Sequence, residues 1–201
     1  MRVRDASSVL LGYTARSRFE PAGSAGLPVI QLRDLSANGI VDPAQLPRAQ
    51  LPERVDRYAV LEGDVLFRSR GELNVAVALD GRFIEPAIAI LPLMILRPNR
   101  HILVPEYLAW AINQPEAQRH FDASARGTGL RMVPKASLDE LELDIPDIET
   151  QRRIVAVAAL AAREEALARD LAEKKRRFIN SLLAERAKGK RPARTIKENR
   201  R

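Results

Sequence analysis

The stretch Ile145-Pro146-Asp147-Ile148-Glu149-Thr150-Gln151-Arg152-Arg153-Ile154-Val155 opens the part of the chain that decides its architecture. From Gln151 to about Ala187 neither Pro nor Gly interrupts a helical pattern. A helix of that length measures roughly 55 Å at ~1.5 Å per residue. It is too long to lie on a small domain, so it needs a partner helix or acts as a spacer. Pro146 biases Ile145 toward extended geometry, which closes the domain in front of the helix. The expected organisation is a domain over 1–146, a long helix over 147–187 and a basic, disordered tail over 188–201.

Leu160, Glu164, Leu167, Leu171, Lys174, Phe178 and Ser181 follow 4-3 spacing along the helix. A parallel stripe runs through Ile154, Val157, Ala161, Glu164, Ala168 and Leu171. A sustained seam of this type argues for a coiled coil. The charged Glu164 and Lys174 weaken a strict zipper, yet an antiparallel partner that places one near the other would let them set register. The residues expected to meet a partner are Gln151, Ile154, Leu160, Leu167, Leu171, Phe178 and Leu182. The competing arrangement is a solitary helix folded back on its own domain.

Composition narrows the function classes. The 201 residues are 46% hydrophobic, enough for one cored domain and an extension. There is no Cys, which excludes disulfides, Cys-zinc sites and thiol nucleophiles. His101 and His120 are the only histidines, so a His-rich metal site is not expected. No signal-peptide pattern or membrane-length apolar run occurs, and a soluble cytoplasmic protein is expected. The net charge is +7 but unevenly placed. Residues 1–148 hold 17 basic and 19 acidic side chains, net −2; residues 149–201 hold 16 and 7, net +9. Residues 186–201 alone carry +7. That tail reads either as a solvated end or as a source of non-specific phosphate affinity. The high isoelectric point is therefore not evidence that the domain binds nucleic acid.

The first 145 residues read as mixed α and β. Val29–Leu32 is a strand pattern leading to a turn at Asn38-Gly39. Pro43, Pro47 and Pro52 mark 43–54 as loop. Glu62-Gly63-Asp64 turns into Val65-Leu66-Phe67. Val75, Val77 and Leu79 alternate on one face of a strand, followed by a hairpin-type turn at Asp80-Gly81. Ala87–Ile90 and Leu93–Leu96 are further strands. Pro105 opens a helix through Asn113 with Leu108, Ala111 and Ile112 on one face, and Pro115 opens another through about Ala123. Ser137-Leu138-Asp139-Glu140 has capping-box spacing and predicts a short helical turn.

Catalytic and nucleotide-binding patterns are missing. No phosphate loop ends in Lys-Ser/Thr. Gly12, Gly23 and Gly26 lack dinucleotide-fingerprint spacing, and Gly127-Thr128-Gly129 is too short to count. No Asn-Pro-Pro-aromatic or Asp-Pro-Pro-aromatic run of the amino-methyltransferase kind occurs. Glu72 and Asp80 are the nearest approach to a nuclease carboxylate pair. Side chains suited to phosphates and bases collect instead in turns: Tyr13, Arg16 and Arg18; Arg33; Arg68, Ser69, Arg70 and Asn74; Arg126, Thr128, Arg131 and Lys135. The Arg126–Arg131 loop is the strongest single candidate, with two Gly for close backbone approach, two Arg and no acid.

Four patches in order carry a family resemblance. They are Leu27-Pro28-Val29-Ile30-Gln31-Leu32-Arg33-Asp34-Leu35 with Asn38-Gly39; Leu61-Glu62-Gly63-Asp64-Val65-Leu66-Phe67; Val104-Pro105-Glu106-Tyr107-Leu108 up to Gly127-Thr128; and Ile145-Pro146 with Gln151 and Ile154-Val155. With them the chain resembles one target-recognition half of the DNA specificity subunit of type I restriction-modification enzymes. The resemblance implies a mixed α/β target-recognition domain followed by a long C-terminal helix that pairs as an antiparallel coiled coil. It implies double-stranded DNA as partner, a methyltransferase (modification) subunit held on the spacer helices, and a restriction subunit as a further member of the assembly. It implies no catalysis and no cofactor in this chain; in the family the modification subunit binds S-adenosylmethionine and the restriction subunit uses ATP.

Family members usually carry two such halves, and this chain has one. Two copies would have to pair through Gln151–Ala187 as a homodimer and read a bipartite palindrome. The helix would then set a gap of roughly one to one and a half duplex turns. A degenerate adaptor that binds the modification subunit through its coiled coil, without DNA selectivity, is the alternative suggested by the −2 charge. An enzyme is the reading that the missing motifs disfavour.

Overall fold

The computed structural model describes residues 1–14, 26–36, 39–40, 42–50, 55–71, 74–124 and 131–188. They fall into two units, Met1–Val155 and Ala156–Arg201. In the first, a short helix α1 (Val3–Ala6) leads into β1 (Ser7–Leu11). Then come β2 (Leu27–Ile30), β3 (Leu35–Ser36), β4 (Gly39–Ile40), β5 (Arg48–Ala49) and β6 (Ala59–Val60). These are followed by β7 (Val65–Arg68), β8 (Ala76–Ala78), β9 (Ala87–Ala89) and β10 (Leu93–Pro98). Helices α2 (Pro105–Ile112), α3 (Pro115–Ser124) and α4 (Lys135–Glu140) precede α5 (Ile148–Lys188).

One sheet has the order β1-β10-β7-β8, antiparallel throughout. A second has the order β5-β2-β9-β6, with β2 and β9 parallel. Strand side chains alternate between faces, and both faces of the first sheet are apolar. Val65, Phe67, Met94 and Leu96 face a core shared with Leu103, Leu108, Ile112 and Phe121 of the helical layer. Leu66, Leu93 and Ile95 face the opposite way, toward Ile30, Val60, Ala87 and Ala89 of the second sheet. The second sheet repeats the division: Val29 and Ile88 enter a smaller core with Ala49 and Val55.

The crossing between sheets explains a glycine. Gly12 N–H donates to Leu93 O of the first sheet at 2.9 Å, and Tyr13 N–H donates to Ala89 O of the second at 2.8 Å. A Cβ on Gly12 would lie 2.9 Å from three backbone atoms of residues 89, 90 and 93, so no side chain fits.

Several local expectations are corrected. The first strand runs Leu27–Ile30 rather than Val29–Leu32, because Leu32–Asp34 turns as a 3-10 helix whose Asp34 carboxylate accepts from Gln31 N–H at 2.8 Å. Residues 43–54 are not all loop. Pro43–Gln45 is a 3-10 turn, and Arg48–Ala49 forms the edge strand β5, where the preceding Pro47 interrupts no ladder. Arg48 pins this strand through Gly26 O at 2.8 Å and the Glu85 carboxylate at 2.5 Å. Asp80-Gly81 is a turn but not a hairpin: β8 pairs with β7, while β9 joins the other sheet. Ser137 caps nothing. Pro134 holds the N-cap of α4, so Ser137 lies inside the helix and its hydroxyl meets that of Ser124 at 2.5 Å. The turn residue Asn38 lies outside the described residues, while Ser36 and Gly39 on either side of it are paired.

In the second unit, α5 continues to Lys188. Ion pairs with the acid four residues ahead of the base run along the helix: Glu149–Arg153 within the first unit, then Glu165–Arg169, Asp170–Lys174 and Glu173–Arg177. This order is the favourable one for a helix. No helix among the described residues is long and apolar enough to cross a membrane.

Phe67 and Phe121 are fully buried, with ring centroids 5.0 Å apart, and join sheet to helical layer. Phe67→Ala is expected to destabilise the first unit by about 3–5 kcal/mol, read from the urea midpoint.

Candidate nucleic-acid interface and partner helix

The turn after β7 lies beside the chain entering α4. Val133 N–H donates to Ser69 O at 2.8 Å and Gly71 N–H to Arg131 O at 3.2 Å, with Arg70 and Met132 bridged as in a sheet. Arg68 extends this edge. Its guanidinium donates to Leu35 O at 3.3 Å and Arg70 O at 3.2 Å, drawing in the segment that carries Arg33. Ser69 Oγ donates to Pro92 O at 2.5 Å, and Leu91 N–H donates to Tyr13 O at 3.0 Å. A continuous hydrogen-bonded edge therefore gathers Tyr13, Arg33, Arg68, Ser69, Arg70 and Arg131, which are far apart in sequence.

Within this edge the side chains differ in what they are free to do. Arg70 is exposed and has no side-chain partner among the described residues. Arg33 is largely exposed, with Asp34 3.8 Å away. Arg131 is half exposed and held by Asp122 at 3.3 Å, and Lys135 bonds Asp139 at 2.5 Å. Tyr13 stacks edge-on against Tyr58 at 5.4 Å, half buried. Arg16, Arg18, Arg126 and Thr128 lie outside the described residues, as do Glu72 and the tail from 189 onward.

Three expected contact residues are committed elsewhere. Ser69 is buried and its hydroxyl faces Pro92, so it meets no external phosphate. Arg68 uses its guanidinium on backbone carbonyls. Asn74 donates its amide to Arg68 O at 3.1 Å and closes the β7–β8 turn. Polar residues in turns serve the backbone as readily as a ligand, and sequence alone does not separate the two uses. Sequence reasoning also passed over Asn113. Its amide accepts from Ala76 N–H and donates to Ala76 O, both at 2.8 Å, covering the free edge of β8. Its place just after a helix was the available signal.

The start of α5 is anchored in the first unit. The Asp147 carboxylate accepts from the Thr150 hydroxyl at 2.6 Å and the Thr150 N–H at 2.9 Å. These bonds hold its pKa below the usual Asp range, the hydroxyl contributing most. This cap is fully made at neutral pH and is lost as pH falls through that lowered pKa. Tyr107 donates its hydroxyl to Asp144 O at 2.7 Å, and burial raises its pKa.

Gln151 and Ile154 correct the pairing stripe. Gln151 is completely buried: its amide oxygen accepts from Val104 N–H at 2.8 Å, and its nitrogen donates to Ile102 O at 2.8 Å and Pro146 O at 2.7 Å. Ile154 packs with Val155 against the helical-layer core. Neither faces outward as a partner contact. The other stripe residues do: Val157, Leu160, Leu167, Leu171 and Phe178 are 60–68% exposed, and Leu182 and Leu183 are exposed beyond them.

Gln151→Ala would strand one buried N–H and two carbonyls. Each stranded group costs about 1–3 kcal/mol. The urea midpoint should fall with little change in slope.

No protein-family model matches the chain. It is 26% identical over 101 residues to the type I restriction enzyme HindI specificity subunit of Haemophilus influenzae, spanning 49% of this chain and 22% of that protein. A chain from a solved type I restriction-modification system covers 89% of it with a TM-score of 0.65 at 22% identity. The specificity subunit HsdS of Thermoanaerobacter tengcongensis covers 83% at a TM-score of 0.58 and 20% identity. That of M. genitalium covers 90% at 0.54 and 15%. The chain spans 42%, 37% and 43% of those three structures, under half of each. In sequence and in fold, over less than half their length, the chain is similar to the specificity subunits of type I restriction-modification systems.

Proposed function

We propose that this chain is a non-catalytic DNA sequence-recognition subunit of a type I restriction-modification system. Two copies pair through residues 156–188 of α5, so that two recognition domains read a bipartite palindromic site. The paired helices hold methyltransferase subunits, with a restriction subunit as a further member. The observation that carries the reading is the fold likeness over 89% of the chain at a TM-score of 0.65, and the exposed apolar stripe of α5 supports the pairing.

DNA affinity is assigned to the edge built from Arg33, Arg70 and Arg131, together with Arg16, Arg18, Arg126, Thr128 and Lys135. Arg70 is its leading described member because its guanidinium has no partner among the described residues. The net −2 of residues 1–148 favours a second reading, an adaptor that binds the modification subunit without reading sequence.

Selection from random duplexes, using this chain with its modification subunit, separates the two. A specificity subunit enriches two short inverted blocks at fixed spacing; an adaptor enriches nothing. Arg70→Glu and Arg131→Glu should each weaken the selected site about tenfold or more and flatten its salt dependence. Unchanged binding in both variants would remove this edge from the interface.

A further inference from the structure

The exposed stripe of α5 is not uniformly apolar, and its two charges carry information. On one helical seam lie Val157, Leu160, Glu164, Leu167, Leu171, Lys174, Phe178 and Ser181, spaced alternately three and four apart. Val157, Glu164, Leu171 and Phe178 occupy one seam position of the heptad; Leu160, Leu167, Lys174 and Ser181 occupy the other. In an antiparallel pair, each layer joins one position to the other.

We infer that two copies of this chain pair antiparallel with a two-fold axis at the level of residue 169, in a register fixed by Glu164 of each copy meeting the partner's Lys174. This deepens the dimer reading above and rests on it. In that register the two charges meet and the layers on either side of them pair apolar side chains. Leu167 meets the partner's Leu171, Leu160 meets the partner's Phe178, and Val157 meets the partner's Ser181. Two-fold symmetry makes each of these contacts twice.

The alternatives leave charges stranded. Sliding the partner by one heptad one way sets Glu164 against the partner's Leu167 and Lys174 against the partner's Val157. Sliding it the other way sets Lys174 against the partner's Leu171 and Glu164 against the partner's Ser181. A parallel pair places Glu164 on Glu164 and Lys174 on Lys174. An unpaired or like-paired charge in a seam costs far more than an exposed ion pair returns, so the charges select register and direction by penalising the others. A polar residue at a seam position is a known device for this. In the single helix Lys174 bonds Asp170 at 2.8 Å. An ammonium has three donors on a flexible stem, so it can keep Asp170 and reach the partner's Glu164 as well.

The chain has no cysteine, which makes disulfide mapping direct. The full chain carrying Leu160→Cys with Phe178→Cys, equilibrated in a glutathione redox buffer, should become a covalent dimer on a non-reducing gel. Within one helix these positions are about 27 Å apart, so no internal bond competes. Each single variant should stay uncrosslinked. The pairs Leu160→Cys with Leu171→Cys and Leu167→Cys with Phe178→Cys, which report the two shifted registers, should also fail. In parallel, Glu164→Lys and Lys174→Glu should each raise the dimer dissociation constant about tenfold or more by light scattering. The double swap should restore it. A shifted pair that crosslinks, a dimer in which none of the pairs crosslinks, or a double swap that stays weak overturns the register and leaves the dimer standing. A monomer at tens of micromolar overturns the dimer itself.

Discussion

The four-stranded sheet β1-β10-β7-β8 has no face to give to water, and the first unit is arranged around that constraint. Its two central strands are apolar at consecutive positions, Val65-Leu66-Phe67 and Leu93-Met94-Ile95-Leu96, so each face needs its own cover. Helices α2 and α3 cover one and the second sheet covers the other. The sharp crossing at Gly12 lets the chain pass from one sheet to the other without losing backbone hydrogen bonds. The candidate recognition edge is built from loops tied to this sheet: the β7–β8 turn, the segment before α4 and the stretch near Pro92. Their mutual bonds run backbone to backbone or side chain to backbone, which places them by the fold rather than by flexible side chains.

Periodicity was the part of the fold most legible in the chain. The apolar runs at 65–67 and 93–96 and the Pro-led starts at Pro105 and Pro115 identify elements that the structure contains. The long uninterrupted pattern after Pro146 is a single helix to Lys188. Pairing was far less legible. Asp80-Gly81 looks like a hairpin because local turn chemistry says nothing about which sheet the next strand will join. Arg48–Ala49 is hidden among prolines, since a two-residue edge strand owes its form to β2 rather than to its own propensity. Ser137 has the spacing of a cap, but Pro134 already holds that position.

The candidate site divides along the same physical line. Residue type indicated which side chains could meet a phosphate, and clustering in turns indicated where. Only packing revealed that Ser69 faces Pro92, that Arg68 and Asn74 serve backbone carbonyls, and that Gln151 is sealed inside the domain. A Gln at the head of an amphipathic helix reads as a surface residue. Its burial depends on three backbone groups from residues 102, 104 and 146 that no local pattern brings together.

The acid-before-base pairs along α5 have a consequence for how association would proceed. Three of the pairs lie in the associating part of the helix; each contributes about 0.2–0.5 kcal/mol to helicity, which favours a rod that is already formed in the single chain. Coupled folding would charge the ordering of some thirty residues against the binding free energy. Docking of two pre-organised rods avoids that cost, so the heat-capacity change on association should reflect the apolar stripe alone. Encounter would also be governed by orientation rather than by the time needed to coil a disordered segment.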